Sequence, residues 1–221
     1  MAISKPWNWK EEKDRIWICH PCEESYFLAA RWEKQGYEEL LDFGCGLGRH
    51  SIFFAQQGFN VSSFDLSLYG TNHLKEWAER ENLNIDIKLA DMLELPYSDS
   101  TFDCIFAYHV ISHTDSLGMK KVIKEIKRVI KPLGEVYLTL CSKDSWRYRE
   151  IEYPRIDENT IIKTDDGPEK GIPHFYVNLE DVIDLFCSVN LQLLSIRHID
   201  DCYYDGGKRN GIHYFILARN M

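Results

Sequence analysis

LLDFGCGLGRHSIFFAQQGFNVSSFDLS, residues 40–67, is the stretch of sequence that decides the fold. An apolar run enters a turn that contains Gly44, Gly46 and Gly48, and a helical pattern follows directly. A second apolar run ends at Asp65, about twenty residues further on. Strand, glycine turn, helix and second strand in this order predict a βαβ unit, whose parallel strands end at the same edge of a sheet.

The glycine turn predicts a nucleoside site. Free N–H groups of the first helical turn face whatever lies above the glycines, which permit close backbone approach. The Asp65 carboxylate can accept hydrogen bonds from both hydroxyls of a ribose. The turn lacks the further glycine of the dinucleotide pattern, and Asp42 before it would repel a phosphate but attract an ammonium. The ligand predicted from these residues is adenosine joined to an amino acid.

The rest of the chain alternates apolar runs with helical patterns, which is typical of an α/β fold with a parallel sheet. Residues 191–199 and 212–219 form two final strand-like runs that could pair antiparallel at one edge, joined by the turn-rich residues 200–211. The other predicted strands are 39–43, 60–65, 85–90, 102–108 and 134–140, and the predicted helices are 22–34, 116–130 and 179–187.

Two segments lie outside this alternation. Residues 142–177 combine prolines, glycines and many charges and are too long for a plain connection, so we expect a lid or a pocket wall. The segment before the first strand carries Trp7, Trp9 and Trp17, which could cover the nucleoside or serve in packing.

Composition limits the partners and the location. Acidic residues outnumber basic ones, 35 against 26, and the net charge of −9 would repel a nucleic acid backbone. The seven cysteines are odd in number and scattered, which favours reduced thiols in a cytoplasmic protein. No apolar stretch approaches the length that crosses a bilayer, so we expect no membrane partner. The sequence leaves the oligomeric state open.

Several motifs in residues 37–141 resemble those of the class I S-adenosylmethionine-dependent methyltransferases. LDFGCGLG (41–48) resembles the first motif of that family, and FDLS (64–67) carries its ribose-binding acid. KLADMLELPYSDSTFD (88–103), FDCIFAYHVISH (102–113) and EIKRVIKPLGEVYLT (125–139) are similar to the later motifs, in the family's order. GLGRHSIFFAQQGF (46–59) and the tail from residue 171 are similar to small bacterial methyltransferases of the tellurite-resistance type.

The resemblance implies a Rossmann-like methyltransferase fold, a mostly parallel seven-stranded sheet with an antiparallel C-terminal hairpin. It implies one methyltransferase domain over residues 1–221: an N-terminal lid and helix (1–36), a cofactor-binding core (37–141), a substrate-side insertion (142–177) and a C-terminal helix and hairpin (178–221). S-adenosylmethionine is the implied methyl donor. The residues expected to contact it are Asp42, Gly44, Cys45, Gly46, Gly48, Asp65, Leu66, Asp91, Met92, Tyr108 and His109.

The histidines are the candidates for the methyl-transfer site. A sulfonium methyl is already activated, so the protein has to align the acceptor, exclude water and sometimes remove a proton. His109 and His113, spaced i and i+4, would share a face if helical and could act as base, substrate contact or metal pair, or could simply pack. His174 could line the pocket or be a structural loop histidine.

No metal is expected from the sequence. His109 and His113 have no evident third ligand nearby, and Cys19 and Cys22 have CxxC spacing without a second pair, as two ordinary thiols would.

The leading hypothesis is methyl transfer, directly and in line, to a small-molecule acceptor whose reacting atom stays open. A non-catalytic S-adenosylmethionine-binding or interaction protein is an alternative. A nicotinamide-dependent oxidoreductase fits the fold but not Asp42, the missing glycine or the terminal hairpin.

Overall fold

The computed structural model describes residues 2–11, 16–200 and 211–221, with the backbone alone at positions 16 and 17. The strands of this described part are β1 (Glu39–Phe43), β2 (Asn60–Asp65), β3 (Asp86–Leu89), β4 (Phe102–Ala107), β5 (Ile130–Ser142), β6 (Arg155–Asp157), β7 (Thr160–Ile162), β8 (Pro173–Val177), β9 (Leu191–Asp200) and β10 (Ile212–Asn220). Its α-helices are α1 (Glu23–Lys34), α2 (Arg49–Gln56), α3 (Leu68–Glu81), α4 (Ser116–Val129), α5 (Trp146–Arg149) and α6 (Leu179–Cys187). Single 3₁₀ turns lie at Trp9–Glu11 and Ile16–Cys19.

Seven of the strands form the expected sheet, in the order β3-β2-β1-β4-β5-β10-β9. The first five are parallel, whereas β10 runs antiparallel to both β5 and β9. This arrangement confirms the predicted Rossmann-like α/β fold with an antiparallel C-terminal pair. The predicted turn-rich connection between β9 and β10 lies mostly outside the described residues, because residues 201–210 are not described.

The segment from residue 142 to residue 177 contains three short strands that the sequence did not predict. β6, β7 and β8 form an antiparallel meander, and β8 adds to the end of β5 in parallel, with Tyr176 opposite Cys141. Since β4 pairs with β5 only up to Leu138, β8 continues that edge of β5 beyond the end of β4. The meander is therefore anchored to the sheet above the carboxyl ends of its strands.

Helices cover both faces of the sheet. α4 and α6 pack on one hydrophobic cluster, and α1 and α2 pack on another. α4 is amphipathic as predicted, with Met119, Val122, Ile123, Ile126 and Val129 buried. It ends at Val129 and the chain continues at once as β5, so this strand begins four residues before the predicted one. No helix among the described residues is both long and apolar enough to cross a membrane.

A buried carboxylate ties α1 to the sheet. Glu135 of β5 is fully buried and accepts hydrogen bonds from Arg31 Nε and Nη2, both at 2.8 Å. Arg219 of β10 donates to it at 2.8 Å and Trp32 Nε1 at 3.0 Å. Hydrogen bonds from two arginines offset the burial of this charge, so that α1, β5 and β10 are held at one point.

The N-terminal segment, residues 2–11, lies across the carboxyl ends of the parallel strands. Ser4 forms a β-bridge with Thr114 in the loop after β4. The Asn8 N–H donates to Pro168 O at 3.2 Å, and Lys5 Nζ donates to Gly171 O at 3.0 Å. The segment therefore joins the loop after β4 to the meander-containing insertion.

Candidate active site

A cavity of ≈ 1120 Å³ lies at the carboxyl ends of the parallel strands. Its wall combines the glycine turn and the ends of β2, β4 and β5 with the N-terminal segment, the 142–177 insertion and the start of β10. In open α/β sheets this is the edge at which ligands bind. The predicted pocket wall at residues 142–177 thus faces the predicted nucleoside turn across one cavity.

Both the backbone conformation and the lack of space for a side chain require glycine at these positions of the turn. Gly44, Gly46 and Gly48 have φ values of 72°, 56° and 97°, in the left-handed region. A Cβ on Gly44 would lie 2.2 Å from Val110 Cγ2, and one on Gly48 would lie 2.4 Å from Leu74 Cδ1. Gly44 and Gly46 line the cavity, whereas Gly48 packs against α3.

Asp65 lies at the end of β2 in the cavity wall. Its Oδ2 accepts a hydrogen bond from the Gly46 N–H, and its Oδ1 accepts one from the Ser67 N–H, each at 2.8 Å. Burial raises the pKa of Asp65, against the effect of these backbone donors. Each oxygen keeps a further lone pair for a hydroxyl group. Leu66 and Met92 line the cavity beside it.

Three of the predicted cofactor residues lie away from the cavity wall: Gly48, Asp42 and Asp91. Asp42 is 2% exposed, and its carboxylate accepts a hydrogen bond from Ser51 Oγ, which in turn accepts one from Ser63 Oγ at 2.9 Å. Burial raises the pKa of Asp42 to about 7. Asp91 turns back on its own loop, where Oδ1 accepts from the Leu93 N–H at 2.9 Å. None of the three is among the residues that line the cavity, whereas Cys45 and Met92 are.

His109 is held in a special conformation at the end of β4. Its φ is 54°, which is uncommon outside glycine, and its N–H donates to Thr139 Oγ1 at 2.7 Å. The ring packs on Tyr108 and His213, with centroid distances of 4.1 and 4.4 Å. Burial, with His213 adding to it, holds the pKa of His109 well below its usual value. His109, Tyr108 and His213 all line the cavity, and the ring of His109 is neutral near pH 7.

His113 lies in a loop and not on a helix, so it does not share a helical face with His109. Its N–H closes a turn to Val110 O at 3.0 Å, and its ring contacts the insertion instead. His113 Nε2 lies 3.7 Å from Glu169 Oε1, and His174 Nε2 lies 3.2 Å from the same oxygen. Lys163 Nζ donates to the other oxygen, Oε2. The two predicted histidines, His113 and His174, are therefore brought together by a carboxylate.

This arrangement shifts the pKa values of His174 and Glu169. Burial lowers the pKa of His174 to about 3, and the charge of Lys163 acts in the same direction. Burial alone would raise the pKa of Glu169, but its contacts with His113 and His174 and the charge of Lys163 hold it below its usual value. Glu169 is accordingly a carboxylate at neutral pH.

The sequence did not single out Glu169, Lys163, Thr139 or His213. Glu169 and Lys163 sit in a proline- and glycine-rich segment whose local pattern gives no periodicity. Thr139 and His213 read as ordinary strand residues, and the antiparallel pairing of β10 with β5 carries His213 to the cavity. The signal that could have found them is the expected closeness of residues 142–177 to the ends of β4 and β5.

The CxxC pair does not form a comparable cluster. Cys19 is exposed, and burial raises the pKa of Cys22 to about 12, which disfavours a thiolate. Among the described residues, His113, Glu169 and His174 are the one group whose side chains could hold a metal ion together.

Sheet order, glycine turn and acid at the end of β2 agree with a known family. Residues 40–134 match the family model of the methyltransferase domain. This stretch, somewhat less than half of the chain, is similar to methyltransferase domains. An uncharacterized protein of Methanocaldococcus jannaschii is 32% identical over 129 residues, which are 58% of this chain and 52% of that protein. The chain thus spans about half the length of that relative.

Solved methyltransferase structures share the fold. TehB from Haemophilus influenzae superposes with a TM-score of 0.66 at 19% identity, over 89% of this chain and 62% of TehB. The 1,6-didemethyltoxoflavin-N1-methyltransferase of Burkholderia thailandensis, solved with bound 1,6-didemethyltoxoflavin and S-adenosylhomocysteine, also has a TM-score of 0.66, at 15% identity. That match covers 96% of this chain and 84% of the neighbour.

Proposed function

We propose that the protein transfers the methyl group of S-adenosylmethionine to a small-molecule acceptor held between the glycine turn and the insertion. The observation that carries this proposal is the shared cavity of ≈ 1120 Å³, which is lined by the turn and Asp65 on one side and by Glu169 and His174 on the other. A pocket for one drug-sized ligand measures roughly 300–1,000 Å³, so this volume leaves room for a cofactor and an acceptor.

The residues of the turn fit S-adenosylmethionine. Gly44 and Gly46 line the cavity, and their left-handed backbone forms the tight turn on which the cofactor would lie. The Asp65 carboxylate, already oriented by two backbone N–H groups, can accept both ribose hydroxyls. Leu66 and Met92 supply apolar surface for the base. Asp42 would contact the ammonium group through a water molecule, because a hydrogen bond from Ser51 holds its carboxylate behind the turn.

The bound cofactor supplies an activated sulfonium methyl group, so alignment and proton removal are the tasks left to the protein. Trp7 and residues of the insertion line the cavity, where they can shield the reacting atoms from water. The neutral ring of His109, kept in place by Thr139, can accept a proton from the acceptor as the new bond forms in line with the sulfonium. The Burkholderia enzyme in the same fold, whose structure holds a small heterocycle, supports an acceptor of this size.

An acceptor screen tests the proposal. The protein is incubated with S-adenosylmethionine carrying a labelled methyl group and with fractions of a cell extract, and label is followed by mass spectrometry. We expect the label in compounds of low molecular mass, dependent on intact Asp65. Label confined to protein or nucleic acid, or no transfer to any fraction, would contradict the proposal.

A further inference from the structure

We propose that His113, Glu169 and His174 form a binding site for one divalent transition-metal ion of the Zn²⁺ type in the wall of the cavity. The site goes beyond the proposed methyl transfer, and the metal-binding test does not depend on that function. It also departs from the sequence-based expectation of no metal, because Glu169 and His174 lie more than fifty residues after His113.

Three ligand atoms converge on one point. Glu169 Oε1 is 3.2 Å from His174 Nε2 and 3.7 Å from His113 Nε2, and the ligand atoms of the three residues all lie within 4.8 Å of one another. Ligands about 2.1 Å from a tetrahedral Zn²⁺ stand about 3.4 Å apart, so the two shorter distances bracket the expected spacing. Two imidazoles and one carboxylate are a donor set that Zn²⁺ binds in hydrolytic enzymes.

The tautomer of His174 leaves a lone pair aimed at Glu169. His174 Nδ1 lies 3.0 Å from Ile172 O, and a carbonyl oxygen can only accept, so Nδ1 carries the proton. Nε2, 3.2 Å from Glu169 Oε1, is then the ring nitrogen that can offer a lone pair to a metal ion. A backbone carbonyl on the outer nitrogen is the arrangement found for metal-bound histidine.

Lys163 and the surrounding rings fix the ligands. Lys163, 6% exposed, donates to Glu169 Oε2 and so leaves Oε1 for monodentate ligation. The His113 and His174 rings meet edge to face at 4.8 Å, and Trp7 packs edge-on against His113 at 5.7 Å. The ring orientations are thus set by packing, as a preformed site needs.

Three protein ligands leave at least one coordination position that faces the cavity. The four basic side chains that line the cavity balance its four acidic ones, so a divalent ion would give the site a net positive charge: Lys5, Arg49, Arg147 and Lys163 against Asp65, Asp165, Asp166 and Glu169. An acceptor with an anionic oxygen, nitrogen or sulfur donor would compensate that charge. This consequence, an ion that orients the acceptor, rests on the proposed methyl transfer.

Metal titration of the full chain tests the site. The protein is stripped with a chelator, and Zn²⁺ binding is measured by competition with a chromophoric chelator and Co²⁺ binding by its ligand-field absorption. We expect one equivalent of each ion, bound at least 100-fold more weakly by Glu169→Gln and by His174→Gln. His109→Gln and the Cys19→Ser/Cys22→Ser double variant are the controls and should bind as the unchanged protein does.

A second variant keeps the test independent of folding. Lys163→Gln removes the positive charge beside the site and keeps a side-chain N–H for Glu169 Oε2, so it should bind Zn²⁺ at least as tightly as the unchanged protein. The circular dichroism spectrum of each variant verifies the fold, and binding of S-adenosylhomocysteine reports on the methyltransferase proposal separately. No Zn²⁺ bound by the unchanged protein, binding that Glu169→Gln leaves intact, or loss only in the Cys19/Cys22 variant would overturn the site.

Discussion

Trp9 packs directly against Gly46, so that a Cβ on the glycine would lie 2.4 Å from Cζ2 of the indole. Trp7 stacks on Trp9 with a ring-centroid distance of 4.7 Å, and both line the cavity. The N-terminal segment is therefore part of the candidate site. It lies on the glycine turn, although the two are distant in the sequence. This contact shows the tryptophans in packing, and their use as a cover over the nucleoside stays a prediction.

Gly46→Ala should impair cofactor binding. The methyl group must displace Trp9, and its residue must keep a φ of 56°, which costs about 1–2 kcal/mol for a residue other than glycine. We expect affinity for S-adenosylhomocysteine, measured by calorimetry, to fall at least tenfold. Gly58→Ala is the matched control, since Gly58 has a φ of 94° and nothing within 4 Å of its Cβ position. Equal affinities for the two variants would show that the Trp9–Gly46 contact has no bearing on the site.

Asp42→Asn should change the pH dependence of stability. With its pKa raised by burial to about 7, Asp42 is protonated in the folded chain and ionised in the unfolded chain between pH 4 and 7. The free energy of unfolding of the unchanged protein therefore falls through that window, by up to about 4 kcal/mol. Asn does not titrate and can still accept from Ser51, so the variant should lack this fall. Urea unfolding at pH 4.5 and pH 8 measures it.

The control for Asp42 is Asp86→Asn on the exposed edge of β3, which should keep the pH dependence of the unchanged protein. Parallel stability curves for Asp42→Asn and the unchanged protein would mean that Asp42 ionises in the fold without cost.

Glu135→Gln should destabilise the fold, with the opposite pH dependence. Burial alone would raise the pKa of Glu135, but hydrogen bonds from Arg31 and Arg219 lower it to about 2. Its contribution is present above the unfolded value near 4.5 and is lost as the pH falls toward 2. We expect the variant to lose about 3 kcal/mol in free energy of unfolding at pH 7 and much less at pH 2.5. Glu38→Gln, at an exposed position, should cost little at either pH, and a loss for Glu135→Gln that is equal at both would contradict the ion-pair explanation.

Thr139→Val should slow turnover with little effect on cofactor affinity. Valine is close to threonine in shape, but the substitution removes the hydroxyl oxygen that accepts a hydrogen bond from the backbone N–H of His109. The same oxygen lies 3.2 Å from His109 Nδ1. If His109 accepts the proton, kcat should fall at least tenfold and the acidic limb of the pH–rate profile should move. Thr101→Val, whose hydroxyl bonds only to Ser98 O in a surface turn, is the control. Unchanged kcat and pH profile in Thr139→Val would exclude a role for the His109–Thr139 pair.

Local sequence patterns were sufficient for the sheet but not for the insertion. β1 and β2 were predicted to the residue, because a strand that runs into a glycine turn has a sharp end, and Asp65 marks the next end. β6, β7 and β8 were not predicted, since strands of three to five residues among prolines and charges depend on pairing with β5 and with one another. The register of these three strands is therefore set by tertiary contacts and not by local sequence.

The residues of the candidate site also fall into those that local sequence predicted and those that it did not. Gly44, Asp65 and Met92 belong to one contiguous βαβ unit and its neighbour, so their motif spacing predicted their place in the wall. The pairing of His113 with His174 depends on Glu169, which the meander delivers from a distant part of the sequence. The i, i+4 spacing of His109 and His113 was misleading, because the loop after β4 does not form a helix: His109 packs on Tyr108 and His213, whereas His113 contacts Glu169.

Calorimetric binding of S-adenosylhomocysteine tests the central claim most directly. The protein should bind one equivalent, and Asp65→Ala should weaken binding by about 100-fold, because two hydrogen bonds between ribose hydroxyls and a carboxylate are lost. Asp86→Ala, which removes an exposed acid from the neighbouring strand, should bind as the unchanged protein does. Absence of binding to the unchanged protein, or equal binding by Asp65→Ala, would contradict the assignment of the glycine turn and Asp65 as the cofactor site.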